Sequence, residues 1–388
     1  MIKAHKIRLH PTPEQANYFA RAAGTARFVF NWALSEWKTQ YDAGGKPNAT
    51  ALKKQFNAIR REQFPWSYEV TKCAIEGAFM DVAAAFHHFF EGRKAGRKTG
   101  YPQFKSKKRS RLSFYLANDK FTVGDHWIDV PKLGRVNMAE QLRFAGKILS
   151  ARITKTADWW FISITVEMPD KVSVNTNPPV GVDVGLNRLA TLSDGQWYEN
   201  QRPLAHRLRK LRRLNKELAR RTRGGKNWHK TKRKLARLHY RIACSRNDLL
   251  HKLTTHVTKR YGLVAVEDLH VKGLLHNRCL SRSFSDAAVG KLLDLLESKV
   301  PYAGGVLVKV NRFFPSSQLC HQCGSRRADL TLSDRIYVCG NPDCGFTGDR
   351  DLNASRNLLQ EALRLVGSRN KAVPVVATTG LKSPGDLG

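Results

Sequence analysis

The chain is 388 residues long, enough for two or more domains with cores of their own. It carries 67 Lys and Arg against 32 Asp and Glu, and the net charge of +35 points to a polyanion partner. No uncharged apolar run could span a membrane, no signal core follows residues 1–6, and the seven cysteines do not form a disulfide framework, which argues for a cytoplasmic nucleic-acid binder.

In chain order, residues 6–9 read as a short strand. Thr12-Pro13-Glu14-Gln15 then opens a helix: Thr12 suits the N-cap, Pro13 the first turn, and Gln15 completes a capping box. Tyr18, Phe19, Phe28, Trp32 and Trp37 follow at helical spacing, which makes them core rather than base-stacking residues. Gly44-Gly45-Lys46-Pro47-Asn48 is a turn signal. A second helical stretch covers about residues 68–90, with Ala78, Phe79, Val82, Phe86 and Phe89 on one face. Residues 10–95 are therefore predicted to be all-helical. A basic loop at 92–98 leads to Tyr101, Phe104 and Lys105. Rings beside clustered positive charge favour phosphate and base contact over a merely solvated loop. Short β-branched and aromatic runs at 112–115, 127–130, 147–150 and 160–166 then alternate with turns, and Trp160, Ile162, Ile164 and Val166 share one face. They predict a small antiparallel barrel or sheet, followed by a polar linker at 169–179.

Val180-Gly181-Val182-Asp183-Val184-Gly185 reads as a buried strand and a tight turn, with a second strand and turn through Gly195. Asp183 lies among apolar neighbours, where a lone charged carboxylate is costly without a cation or hydrogen bonds. Alone it reads best as a satisfied core or turn aspartate. Glu267 and Asp351, in similar settings, shift the balance. After Gly195 the chain turns strongly basic. Leu204, Leu208, Leu211 and Leu218 make a helical stripe wrapped by Arg209, Arg212, Arg213 and Arg220. Beyond Gly224-Gly225, a second helix carries Leu235, Leu238, Ile242, Leu249 and Leu253 among Arg237 and Arg241. A solvated surface usually mixes charges of both signs. This hairpin hardly does, so it is assigned to nucleic acid. Residues 262–267 form a buried strand ending on Glu267, residues 285–300 an amphipathic helix, and residues 305–310 another buried strand. This half alternates as an α/β fold.

Cys320 with Cys323, and Cys339 with Cys344, form two knuckles about fifteen residues apart. Four thiolates at this spacing close a tetrahedral zinc site with no open position, hence a structural one. The site staples a small lobe, or in addition brings Arg326 to nucleic acid. His321 is expected to be exposed rather than coordinating. Directly afterwards, Asp349-Arg350-Asp351-Leu352-Asn353-Ala354 turns helical, with Asp351 in the first turn. Asp183, Glu267 and Asp351 are thus hard oxygen donors on separate elements, suited to Mg²⁺ or Mn²⁺. Two such ions about 4 Å apart can activate water and stabilise the leaving oxygen of a phosphodiester. The tail from about residue 366, with its Gly and Pro, is expected to be mostly disordered.

In combination these motifs resemble TnpB, the family of transposon-encoded RNA-guided DNA endonucleases related to type V CRISPR effectors. The matching residues are Gly181-Val182-Asp183-Val184-Gly185, Arg246-Asn247-Asp248-Leu249-Leu250-His251-Lys252-Leu253, Val266-Glu267-Asp268-Leu269, Phe314-Pro315-Ser316-Ser317-Gln318-Leu319-Cys320 and Asp349-Arg350-Asp351-Leu352-Asn353-Ala354. The likeness runs over about residues 6–365.

The resemblance implies a multidomain α/β and α+β fold. Its parts would be a RuvC-like, ribonuclease-H-type nuclease at 176–318 and 346–370, a zinc ribbon inserted at 319–345, a wedge-like β-barrel at 1–9 and 96–175, a helical recognition domain at 10–95, and a disordered tail at 371–388. Asp183, Glu267 and Asp351 fall on the family's catalytic carboxylates, Asp351 being preferred to Asp349 for its Asp-x-Asn-Ala context. None of them is replaced, which argues against a nuclease-dead repressor. The second knuckle has four residues between its cysteines where the family often has two, so zinc with a looser loop is expected. The resemblance further implies a guide RNA from the transposon end and a double-stranded DNA target. A short adjacent motif would be read by the recognition helices, here at Lys72 and Glu76, while base pairing supplies most of the specificity. It implies a monomer or dimer on RNA in a prokaryotic cytoplasm, at the nucleoid. The alternatives are a non-cutting accessory binding protein of the same element and a strand-joining transposase.

Overall fold

A computed structural model describes residues 1–169, 174–331 and 333–369. The chain divides into two units, Met1–Asp170 with Lys232–Tyr240, and Lys171–Thr231 with Arg241–Gly388.

The first unit opens with β1 (Ile2–His10), whose alternation buries His5, Ile7 and Leu9. Helix α1 (Pro13–Asp42) begins with the predicted capping box: Gln15 N donates to Thr12 Oγ1 at 3.2 Å, and Thr12 N donates to Gln15 Oε1 at 3.0 Å. Asn48, predicted to be a turn residue, is the N-cap of a further helix, α2 (Ala49–Gln63), and accepts from Ala51 N at 2.8 Å. The next helix, α3 (Lys72–Lys94), starts later than predicted because Pro65–Glu69 forms a 3₁₀ turn. It also runs into the predicted basic loop. Phe30, Phe56, Phe79 and Phe86 centre the helical core, with Trp32 and Trp37 packed against it.

Six more strands follow: β2 (Ser113–Ala117), β3 (Thr122–Val123), β4 (Trp127–Val130), β5 (Gly134–Met138), β6 (Lys147–Thr156) and β7 (Trp159–Glu167). With β1 they make one antiparallel sheet in the order β2-β6-β7-β1-β5-β4-β3. Trp160, Ile162, Ile164 and Val166 all point inward, as their alternation predicts. Phe19 and Ala22 of α1 and Cys73 and Ala74 of α3 complete this core, so helices and sheet share it.

The second unit is built on β8 (Pro179–Asp183), β9 (Arg188–Leu192), β10 (Trp197–Glu199), β11 (Leu263–Glu267) and β12 (Val306–Val310). Their order is β10-β9-β8-β11-β12. Strands β8, β11 and β12 are parallel, and β9 and β10 add antiparallel. Between β10 and β11 runs the basic hairpin, α4 (Pro203–Arg220) and α5 (Lys226–Arg260). Then come α6 (Val271–His276), α7 (Ser281–Ala287) and α8 (Val289–Tyr302). The single helix predicted over 285–300 is broken at Ala288, whose φ of 54° is left-handed. Beyond β12, a small two-stranded ribbon, β13 (Ile336–Val338) with β14 (Thr347–Asp349), precedes α9 (Arg350–Arg369).

One face of the mixed sheet packs Val180, Val182, Val264 and Val266 under Leu250, Leu253 and Val257 of α5 and Leu292, Leu296 and Val300 of α8. The other face packs Ala265 and Val310 against Leu358 and Ala362 of α9. This is the predicted α/β half. Helix α9 continues through Arg369, so residues 366–369 are helical rather than disordered. The rest of the predicted tail, and residues 170–173 of the predicted linker, lie outside the described residues. Among the described residues, no helix is long and apolar enough to cross a membrane.

Candidate active site

Register builds the site. Gly181 pairs with Ala265 and Val182 with Val266 on adjacent parallel strands, so one residue further Asp183 and Glu267 come side by side at the strand ends. Neighbouring strands lie about 4.8 Å apart and alternate their side chains. The valines go under α5 and α8, and Gly181, Asp183, Ala265 and Glu267 face α9.

Gly181 brings α9 in. A Cβ at this position would lie 1.9 Å from Ser355 O and 2.9 Å from Leu359 N, so the helix backbone rests directly on the strand. Asp351 precedes Ser355 by one turn, about 6 Å along the helix. Asp183 lies two residues past Gly181, about 6.6 Å along the strand. The two displacements match, and α9 starts where β8 ends. The three predicted carboxylates are thereby brought together from three elements.

Their electrostatics show the crowding. The Asp183 carboxyl is pushed up to about 7, first by burial and then by the negative charges of Asp351 and Glu267, with Arg350 opposing. Burial raises Glu267, helped by Asp268, and raises Asp351, helped by Asp349. Asp349 itself is engaged. Its Oδ2 accepts from Arg188 Nη1 at 2.9 Å, and its Oδ1 caps α9 by accepting from Leu352 N at 3.0 Å. Arg350 donates to Thr331 O at 2.6 Å and to Asp334 O at 3.2 Å. Asp268 accepts from Arg312 at 2.7 Å. Asp183, with Asp351 and Glu267 acting on it, thus stands among hard oxygens from three elements, less tightly gathered than the four cysteines of the ribbon but of a chemistry that suits a divalent cation.

The four predicted cysteines converge separately, with all their sulfur atoms within 4.8 Å of one another. Cys320 and Cys344 are 3.7 Å apart, and Cys323 and Cys339 are 3.4 Å apart. A tetrahedron with zinc–sulfur bonds of about 2.3 Å has edges of about 3.8 Å, so the cluster has the dimensions of a zinc site. The longer second knuckle is not loose. Asn341 N donates to Cys339 Sγ at 3.4 Å, and Asn341 O accepts from Cys344 N at 3.1 Å. His321 is half-buried and hydrogen-bonded rather than exposed, and is not among the four ligands. Metal analysis is expected to find about one zinc per chain. Cys320→Ser should lose it and open residues 319–345 to proteolysis. Full zinc content in that variant would contradict the assignment.

The predicted nucleic-acid residues divide into free and committed groups. Arg209, Arg212, Arg213 and Arg220 on α4 are exposed, and no acidic partner is found for them among the described residues. Arg241 on α5 is exposed too. Arg237 pairs with Asp158. Lys72 is exposed at the start of α3; Glu76, one turn on, is half-buried and 3.4 Å from Lys53. Phe104 is exposed, and Tyr101 packs edge-on against Phe86 and Phe89. Lys105 reaches Asp81 at 3.1 Å and caps the Phe30 ring, which makes it a pin within the first unit. Arg326 is exposed and donates to Gln318 Oε1 at 2.9 and 3.0 Å. Sequence reasoning missed the close approach at Gly181, which its place in Gly-x-Asp-x-Gly could have signalled. It also missed Arg188, for which no local pattern stands.

Comparison with known proteins adds three kinds of likeness. Family models match residues 163–278 (probable transposase), 1–46 (helix-turn-helix domain) and 290–358 (Cas12f1-like, TNB domain). Over 1–46 the structure holds one strand and one long helix. A Streptomyces pristinaespiralis protein named "Putative RNA-guided DNA endonuclease" is 33% identical over 368 residues, covering 93% of this chain and 89% of its own. The similarly named InsQ of Escherichia coli strain K12 is 30% identical over 381 residues, covering 92% of each. Among solved structures, the protein of a Cas12f1–sgRNA–target DNA complex matches with a TM-score of 0.57 at 16% identity, over 89% of this chain and 83% of that one. That likeness is one of fold.

Proposed function

This chain belongs to the TnpB family, and we propose on that premise that it is an RNA-guided DNA endonuclease of a transposon, hydrolysing DNA next to a short target-adjacent motif. The observation that carries the proposal is the convergence of Asp183, Glu267 and Asp351 at one end of the mixed sheet, in a chain of net charge +35.

In this reading Asp183, Glu267 and Asp351 hold Mg²⁺ or Mn²⁺, and the four cysteines hold zinc. When bound, a pair of divalent cations lowers the pKa of a water molecule and stabilises the leaving oxygen of a phosphodiester. The protein's own work is positional. Asp349 and Arg188 fix the first turn of α9, and with it Asp351. Burial and the neighbouring carboxylates push the Asp183 carboxyl up to about 7, and a bound cation would favour its ionised form. The mixed sheet with α9 would be the RuvC-like nuclease, split by the ribbon. The exposed arginines of α4, with Arg241, would grip the guide RNA backbone. Lys72 and Glu76 would read the adjacent motif in duplex DNA, with the exposed Phe104 ring as a stacking residue and the first unit's sheet as the wedge. Base pairing would supply the remaining specificity.

The probable-transposase match favours strand joining as a second reading. A plasmid assay separates the two. The protein is coexpressed with an RNA from its transposon end carrying a chosen 3′ segment. It is then given Mg²⁺ and plasmids with a matched site beside randomised flanks. Cutting confined to matched plasmids with one flanking motif is expected. Cutting that ignores the RNA, or joined products, would contradict the proposal.

A further inference from the structure

We infer that Asn353 is a positioning residue that locks the cysteine ribbon onto α9 and so holds Asp351 in place for cation binding. The inference rests on the cation site proposed above.

Asn353 lies two residues after Asp351 and is fully buried. On a helix that spacing turns its side chain to a different face from that of Asp351. Its Oδ1 accepts from His321 N at 3.0 Å and lies 3.0 Å from His321 Nδ1. Its Nδ2 donates to Leu319 O at 2.6 Å. One turn later, Asn357 donates to Leu319 O and to Ser316 O, each at 2.7 Å. Gln360 donates to His321 O at 2.8 Å. One polar stripe of α9 therefore satisfies the carbonyls of the segment that leads into Cys320 and leaves it. Such buried groups are expensive to leave bare.

The histidine ring closes the arrangement. Arg356 Nη1 stands 3.0 Å from His321 Nε2, and a guanidinium can only donate, so Nε2 accepts. The ring proton is then on Nδ1, where it meets Oδ1, the acceptor of the Asn353 side chain. This assigns the tautomer by donor logic. The ring also packs edge-on against Phe346, at 4.5 Å between centroids, just past Cys344. The first knuckle, the second knuckle and α9 are thus tied through His321 and Asn353. Arg350 adds a strut from the helix start to Thr331 and Asp334. The ribbon in this reading is a splint for the first turn of α9, which carries Asp351.

The test uses the full chain, freed of nucleic acid and retaining zinc, with Mn²⁺ titrated by electron paramagnetic resonance. The unaltered chain should bind Mn²⁺ at a site lost in Asp183→Ala. Asn353→Ala should keep its zinc yet bind Mn²⁺ about tenfold or more weakly, the usual scale for a lost outer-sphere support. In cutting assays its half-saturating Mg²⁺ should rise by a similar factor, with most of the rate recovered at high Mg²⁺. Asn353→Ser puts one short hydroxyl in place of the amide and adds no charge, so it should show a smaller loss. It serves as the measurement if the alanine variant does not fold. Mn²⁺ affinity within twofold of the unaltered chain in both variants would overturn the positioning role and leave the cation site standing. No Mn²⁺ binding in the unaltered chain would overturn the site and this inference with it.

Discussion

Asp183→Asn is expected to lower DNA cutting by at least about 10³-fold while leaving RNA binding unchanged. The substitution keeps the shape and removes one anionic ligand. It is also expected to stabilise the metal-free protein at neutral pH and above. The native carboxyl titrates at about 7, whereas an unfolded aspartate titrates near its ordinary value of 3.8. Between those values the folded chain binds the extra proton, so this group's contribution to stability is complete at low pH, declines as pH rises through about 7, and is constant beyond. Asparagine has no such decline. At pH 8 the gain should be on the order of 1–3 kcal/mol, read as a higher Tm. Saturating Mg²⁺ should reverse the order, because only the unaltered chain then gains from a bound ligand. Loss of RNA binding in Asp183→Asn, or cutting near the unaltered rate, would count against the assignment.

Gly181→Ala is expected to be nearly as damaging, for a steric reason. The added Cβ would stand 1.9 Å from a backbone oxygen and 2.9 Å from a backbone nitrogen of α9. Neither atom can turn aside as a side chain could, and Ala354, Leu358 and Ala362 bury the same helix in the core. Overpacking of this kind costs about 1–3 kcal/mol or somewhat more. The relief available is a shift of α9, which moves Asp351 away from Asp183. Misplacing a reacting group by about 1 Å can cost about 10²-fold in rate, so the folded fraction should also cut poorly. Gly24→Ala is the control: it lies inside α1 with nothing within 4 Å of an added Cβ, and it should be neutral or mildly stabilising. Equal melting temperatures and equal rates for Gly181→Ala and the unaltered chain would refute the close approach.

The two glycine positions show what can be read from the sequence. Gly181 is legible as part of a strand motif, but its packing partner lies more than 170 residues away at Ser355. The carboxylates were legible because each ends a short apolar run or opens a helix. Their convergence needed the β8–β11 register and the path of α9. Local signals carried well: the Thr12–Gln15 capping box and the alternation of β7 both appear where predicted. Signals with two meanings misled. Asn48 serves a turn and a helix cap equally, and α2 went unread behind it. Ala288 has a left-handed backbone that no alanine advertises, so α7 and α8 read as one helix. Charge was the least legible. Lys105 and Arg237 look like free phosphate contacts, yet their carboxylate partners are 24 and 79 residues away. Asp349 and Asp351 look alike in sequence, and Arg188 separates them by occupying one.

The central claim is guidance by RNA, and the most direct measurement is sequencing of the RNA that copurifies with the protein expressed from its own locus. A discrete RNA with a constant structured part and a variable 3′ segment is the predicted result, and the variable segment would name the target. Heterogeneous cellular RNA, or none, would contradict the account and leave the positive charge of α4 and α5 to unguided DNA binding.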